Sequence, residues 1–168
     1  MANPMLLRMR RFLPYLGLGL IGMTALVAVL LYLQRGAHLE LKGSIQKVRT
    51  LALPDSSTVV VIDFRFANSS DYLFVVRQVE VLLDTPGGQT LAGAVASDAD
   101  ARQLFAYYPI LGQRYNETLL IRSRVAPRQS HDRMLAARFE LSEQQVQQRK
   151  GLRIRVEDVD GAVSEIQE

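Results

Sequence analysis

From Phe12 to Leu33 the chain reads "FLPYLGLGLIGMTALVAVLLYL", about 22 uncharged and mostly apolar residues, and no charge follows until Arg35. A helix rises about 1.5 Å per residue, so this run is long enough to cross a hydrocarbon core about 30 Å thick. Pro14 falls in the first turn, where a missing N–H costs little, and glycine is tolerated in membrane helices. A cleavable leader has a shorter apolar core, roughly 7 to 15 residues, followed by small residues at the cut. Here the exit is Leu33-Gln34-Arg35-Gly36-Ala37, with an arginine just before the small pair. The spacing therefore predicts a retained signal-anchor: a short basic segment over 1–11, a single transmembrane helix over 12–34 and a domain over 35–168. Arg8, Arg10 and Arg11 crowd the leading flank, and the positive-inside rule then keeps the N terminus cytoplasmic and exports the rest. The lipid bilayer is the first expected partner.

Within the run, "GLGLIG" satisfies G-x-G-x-x-G with Gly17, Gly19 and Gly22. A dinucleotide site needs a preceding strand, a following amphipathic helix and an acidic residue about 20 positions on. Here Pro14 precedes it and the bilayer surrounds it, so no cofactor is expected. Gly17, Ile21, Thr24 and Ala28 instead share one helical face, a small-residue strip that suits either lipid or close approach of another membrane helix.

The net charge of +3 comes from the anchor and its flanks. Residues 1–35 hold four arginines and no acid, which leaves sixteen basic against seventeen acidic side chains in the remainder. Without a basic stripe, nucleic acid is not an expected partner. The remaining 133 or so residues suit one domain with a real core. There is no cysteine, so packing alone must hold that domain, which fits a bacterial inner-membrane protein with a periplasmic or otherwise extracytoplasmic domain.

Period-two alternation dominates after the anchor. In "STVVVIDFRFANSSD", Val60, Ile62, Phe64 and Phe66 face one way against Asp63 and Arg65, and Asn68 to Asp71 end the strand. "YLFVVRQVEVLLDTPGG" shifts phase near Arg77-Gln78, which predicts a bulge, and Pro86-Gly87-Gly88 turns the chain into another strand. "ETLLIRSRVAP" sets Leu119, Ile121 and Val125 against Arg122 and Arg124. "RMLAARFELS" sets Leu135, Ala137 and Phe139 against Arg138 and Glu140. "GLRIRVEDVDG" sets Leu152, Ile154 and Val156 against Arg153, Arg155 and Glu157. With "HLELKGSIQKVRTLAL" as one or two strands, about seven strands are expected, an all-β antiparallel sandwich. Two short helices interrupt it: one capped at Ser97 or Asp98, whose Leu104, Phe105 and Tyr108 cover the sandwich edge, and one opened by Ser142 with Gln145 as its capping box and stopped by Gly151.

The order of "FRFANSSD", "VEVLLDTPGG", "VAPRQSHDRMLAARFELS" and "GLRIRVEDVDG" resembles the immunoglobulin-like β-sandwich modules of the late-embryogenesis-abundant type-14 and FxLYD kind. Asn68, Gly88, Pro127 and Phe139 stand where that group has its turn asparagine, hairpin glycine, turn proline and inward phenylalanine. The resemblance spans residues 38 to 162, with Ser97 to Gln113 as an insert and without the Phe-x-Leu-Tyr-Asp string itself. It implies an immunoglobulin-like sandwich with a non-catalytic, commonly membrane-tethered role.

Chemistry is thinly marked. Ser130-His131-Asp132 is the one local set resembling a catalytic group, and adjacent turn residues cannot converge into a nucleophile, base and orienter. Asp158, Asp160 and Glu165 echo a calcium loop without its full ligand spacing, so no metal is expected. Asn68-Ser69-Ser70 and Asn116-Glu117-Thr118 are glycosylation sequons, relevant only to a eukaryotic source. Arg122, Arg124, Arg138, Arg153 and Arg155 form either a cross-strand-paired surface or a docking face for an acidic partner. Tyr107 and Tyr108 are a small candidate contact patch. The expected function is a non-catalytic accessory or assembly subunit of a bacterial membrane complex, with other membrane subunits as partners. A tethered carrier of a lipid or other apolar ligand, and an envelope hydrolase, are the alternatives.

Overall fold

The computed structural model describes residues 22–29 and 41–168. The chain falls into two units, Met1–His38 and Leu39–Glu168. Of the first, residues 22–29 are helical with exposed side chains. The rest of the expected anchor over 12–34 lies outside the described residues, and no helix among those described is long and apolar enough to cross a membrane.

The second unit is almost wholly antiparallel β-structure. Its strands are β1 (Leu41–Ala52), β2 (Thr58–Asn68), β3 (Phe74–Asp84), β4 (Thr90–Val95), β5 (Arg124–Val125), β6 (Ser130–Phe139), β7 (Gly151–Asp158) and β8 (Val163–Gln167). Two helices, α1 (Asp98–Tyr107) and α2 (Glu143–Gln147), and a 3-10 turn at Pro109–Leu111 complete it. The pairing runs β1-β2-β6-β4-β3-β7-β8, with β5 added to β3. β4 joins two sheets: Thr90 to Gly93 pair with β3, and Ala94 and Val95 pair with β6. On the other side the Leu41 N–H donates to the Ser164 hydroxyl at 2.8 Å, bringing β1 beside β8. The result is a sandwich that is nearly closed into a barrel.

Alternation places the core. Val60, Ile62, Phe64 and Phe66 from β2 meet Val81 and Leu83 from β3, Leu135, Ala137 and Phe139 from β6, and Leu152, Ile154 and Val156 from β7. The tightest crossing is at Gly43, where a Cβ would lie 2.4 Å from the Arg65 carbonyl oxygen; only glycine lets β1 lie so close to β2. The expected bulge near Arg77 is present as a register shift between Val76 and Gln78.

Three differences from the expected strands have physical causes. Leu119 to Ser123 are not a strand: Thr118 makes an isolated bridge to Met134, a turn at Leu120–Ser123 holds Arg122 at φ 68°, and β5 is only two residues long. Ser130, His131 and Asp132 open β6 rather than forming a turn. The outer face of β1-β2-β6 is not a solvated one, because a second apolar cluster of Leu51, Val59, Val61, Met134 and Ala136 is roofed there by Ala101, Leu104, Phe105, Tyr108 and Leu111. The insert beginning at Ser97 thus buries what a bare sandwich would leave wet.

Both helix caps form as their residues dictate. The Ser97 hydroxyl accepts from the Asp100 N–H, and Ser142 and Gln145 make a reciprocal capping box. The second helix, however, ends at Gln147 with Gln148 as its cap, and Gly151 already belongs to β7.

Candidate functional site

β4 leaves β3 after Gly93, and β5 reaches β3 only at Phe74 and Val75. Between them, residues 77–80 of β3 have no strand on that side. Leu119, 4% exposed, fills the breach toward the core, and a groove of about 500 Å³ opens outside it. Its walls are Gln78 and Val79 from β3, Val95 to Asp98 from the end of β4 and the start of α1, and Leu119 to Ile121. An unpaired strand segment with mostly apolar walls can take an extended or apolar ligand, and Asp98 is the charged residue of its lining. Asp98 is held by Arg102 and Arg114, the latter at 2.6 Å. Asp100 accepts from the Ser97 hydroxyl at 2.7 Å, so both acids serve the start of α1.

The five arginines do not gather on one face. Arg138 is on β6, where it reaches Asp55 at 2.8 Å and Glu140 at 3.0 Å. Arg153 and Arg155 are on β7 in the other sheet, paired with Asp84 at 3.0 Å, Glu165 at 3.5 Å and Glu80 at 3.5 Å. Arg122 and Arg124 lie beside the start of β3, exposed and without an ion pair among the described residues. Ion pairing thus accounts for three of the five, across strands for Arg153 and Arg155 and with acids outside the strands for Arg138.

The Thr90 hydroxyl, then the Arg153 guanidinium, hold the Asp84 carboxyl below the usual carboxylate range, and Arg65 does the same to Asp132. A carboxyl depressed on folding contributes stability that is complete above its unfolded value, about 3.9, and is lost as pH falls through the folded value. The melting temperature is therefore expected to be level from neutrality to about pH 5 and to drop below about pH 4. Asp84→Asn should shallow that acid limb, and a limb unchanged by the substitution would assign the loss to other carboxyls.

His131 and Asp132 do not form a catalytic pair. They alternate along β6: the His131 ring packs against Phe66 at 6.1 Å with its Nε2 buried and unpartnered, while Asp132 is gripped by Arg65 at 2.6 and 2.8 Å. Asp158 is buried and accepts two backbone N–H groups, Asp160 is exposed and Glu165 pairs with Arg153. No three His, Asp or Glu side chains come together to hold a metal ion among the described residues. Both sequon asparagines are engaged: Asn68 is buried and donates to the Tyr72 and Val125 carbonyls, and Asn116 donates to Asp63. No family model, no curated protein and no solved structure matches the chain.

Tyr107 is 82% exposed at the end of α1, whereas Tyr108 packs into the second cluster; their rings lie 6.2 Å apart, so the pair offers one exposed ring. Thr24 and Ala28 lie in the helical residues 22–29, and Gly17 and Ile21 lie outside the described residues. The groove itself was not expected from the sequence. Its only signals were the phase shift at Arg77-Gln78 and the adjacent apolar pair Leu120-Ile121, which breaks strict alternation.

Proposed function

We propose that the chain is a non-catalytic, single-pass, membrane-anchored accessory or assembly subunit of a bacterial envelope complex. The observation that carries this reading is the uncharged run from Phe12 to Leu33 immediately after Arg8, Arg10 and Arg11. It makes 12–34 a signal-anchor in the inner membrane, with the N terminus cytoplasmic and the sandwich periplasmic. Support for a binding role rather than a reaction comes from Ser130, His131 and Asp132, which alternate along one strand, with Asp132 held by Arg65. The sheets β1-β2-β6 and β3-β7-β8, with β4 between them, favour an immunoglobulin-like assignment.

The second reading, a tether for a lipid or other apolar ligand, draws on the groove beside β3. Between the sheets the space is taken by Phe64, Phe66, Phe74 and Phe139, so such a ligand would sit at the sandwich's side.

Purification of the tagged full chain from its native membranes in mild detergent tests the two. A reproducible, stoichiometric set of membrane proteins, with the peptide preceding Arg35 intact by mass spectrometry, is expected. A lone chain cut after its apolar run would overturn the proposal, and a lone intact chain carrying lipid would select the second reading.

A further inference from the structure

The two ends of the sandwich differ in a way that the core does not require. At the end where β1 starts, Leu41 pairs with Asn68, and the β2–β3 loop, the β7–β8 turn and the Leu120–Ser123 turn come together. The ties are direct: the Asn68 amide donates to the Tyr72 carbonyl, the Val159 N–H to the Val75 carbonyl and the Arg122 N–H to the Val76 carbonyl. This end exposes Tyr72 (59%), Leu73 (45%), Ile121 (65%) and Val159 (51%), with Arg122 and Arg124 beside them. At the opposite end, the 53–57, 85–89 and 140–150 connections expose no large apolar side chain. Tyr107, Ile110 and Tyr115 are also exposed, on the segment that follows β4, but of the two ends of the sandwich only this one gathers large apolar side chains at its surface.

That end is also the one to which the apolar run is joined. Seven residue steps separate Gln34 from Leu41, a reach of at most about 24 Å, whereas β3 alone carries the chain about 33 Å to the far end. Resting on the anchored reading above, we propose that this end of the sandwich lies on the bilayer surface. Tyr72, Leu73, Ile121 and Val159 enter the interfacial layer, and Arg122 and Arg124 meet anionic headgroups. The chemistry suits the place: a tyrosine puts its apolar ring inward and its hydroxyl in water, and an arginine is attracted to an anionic surface. The contact would fix the tilt of the sandwich over the membrane and so the direction in which the groove and the insert face a partner.

The chain has no tryptophan, which makes a clean optical test possible. Full-length Leu73→Trp, Ile121→Trp and Gln89→Trp variants, each with one indole on an exposed site, are reconstituted in phosphatidylcholine–phosphatidylglycerol vesicles with or without bromine on the upper acyl chain. Indoles buried about 5–10 Å into the headgroup boundary should lose roughly half their emission to bromine at positions 73 and 121, and almost none at 89. Adding Arg122→Glu and Arg124→Glu to the Ile121→Trp chain should reverse much of that loss. Equal quenching at all three positions in a chain that resists alkaline carbonate extraction would overturn the bilayer contact while leaving the anchor intact. Extraction of the chain by carbonate would instead remove the anchored reading, and this inference with it.

Discussion

Asp63→Ala should destabilise the sandwich by about 3 kcal/mol or more, the cost of leaving one member of a buried ion pair uncompensated. Asp63 lies on the outer face of β2 and meets Arg49 of β1 at 2.6 Å, with side chains only 6% and 11% exposed. Arg49 also donates to the Leu111 and Gln113 carbonyls at 2.6 and 2.9 Å, and its guanidinium sits 5.0 and 5.5 Å from the Phe105 and Tyr115 rings. Asn116 donates to the second Asp63 oxygen at 2.9 Å. One ion pair therefore clips the whole insert, from α1 to Asn116, onto the sheet. Urea unfolding of the detergent-solubilised chain measures the loss, which corresponds to a fall in melting temperature on the order of 10 °C. Hydrogen exchange should quicken selectively in residues 98–117. Replacing both residues, as Arg49→Leu with Asp63→Leu, should cost less than the two single changes summed, because no buried charge is left alone. A loss under about 1 kcal/mol for Asp63→Ala would mean that apolar packing holds the insert without the clip.

How much of this was legible in the sequence depended on whether a residue's neighbours were near it in the chain. β7 reads directly, since Leu152, Ile154 and Val156 are inward and Arg153 and Arg155 have strand partners. The caps at Ser97 and Ser142 read directly because capping is complete within four residues. The second apolar cluster does not, because a period-two pattern marks an outward position as wet and Val59, Val61, Met134 and Ala136 are covered by a segment distant in sequence. Their apolar identity on the supposed outer face was the available clue. The strand expected at 117–125 failed for a similar reason. Its alternation is genuine, but Leu119 is drawn inward to fill the breach between β4 and β5, and the turn that follows points Ile121 to solvent. The arginines were read as one set because their strands alternate alike, yet β6 and β7 lie in different sheets, and only topology separates them.

Asp158→Ala is the second large expected effect, and it separates a structural acid from a metal ligand. The "EDVDG" stretch has the acids of a calcium loop, but in the fold Asp158 is fully buried and both of its oxygens are taken. Oδ1 accepts from the Val75 N–H at 2.6 Å, and Oδ2 accepts from the Asp160 N–H at 3.0 Å. The first bond tethers the β7–β8 turn to the start of β3 beside the register shift at Val76, and the second shapes the turn itself, which closes through Gly161 at φ 87°. Each bond to a charged acceptor is worth about 1.5–3 kcal/mol, so alanine should cost about 3 kcal/mol or more and leave two N–H groups seeking partners. Asparagine should recover little, since its NH2 group must confront one of the two donors. Because Asp158 is buried with each oxygen engaged by a backbone N–H, and no ligand cluster surrounds it among the described residues, calcium should not raise the melting temperature of the unaltered chain, whereas a metal loop would gain stability with metal concentration by mass action. A calcium-dependent rise abolished by Asp158→Ala would overturn the structural assignment. A calcium-independent loss in the alanine variant would establish Asp158 as the tie between β7–β8 and β3.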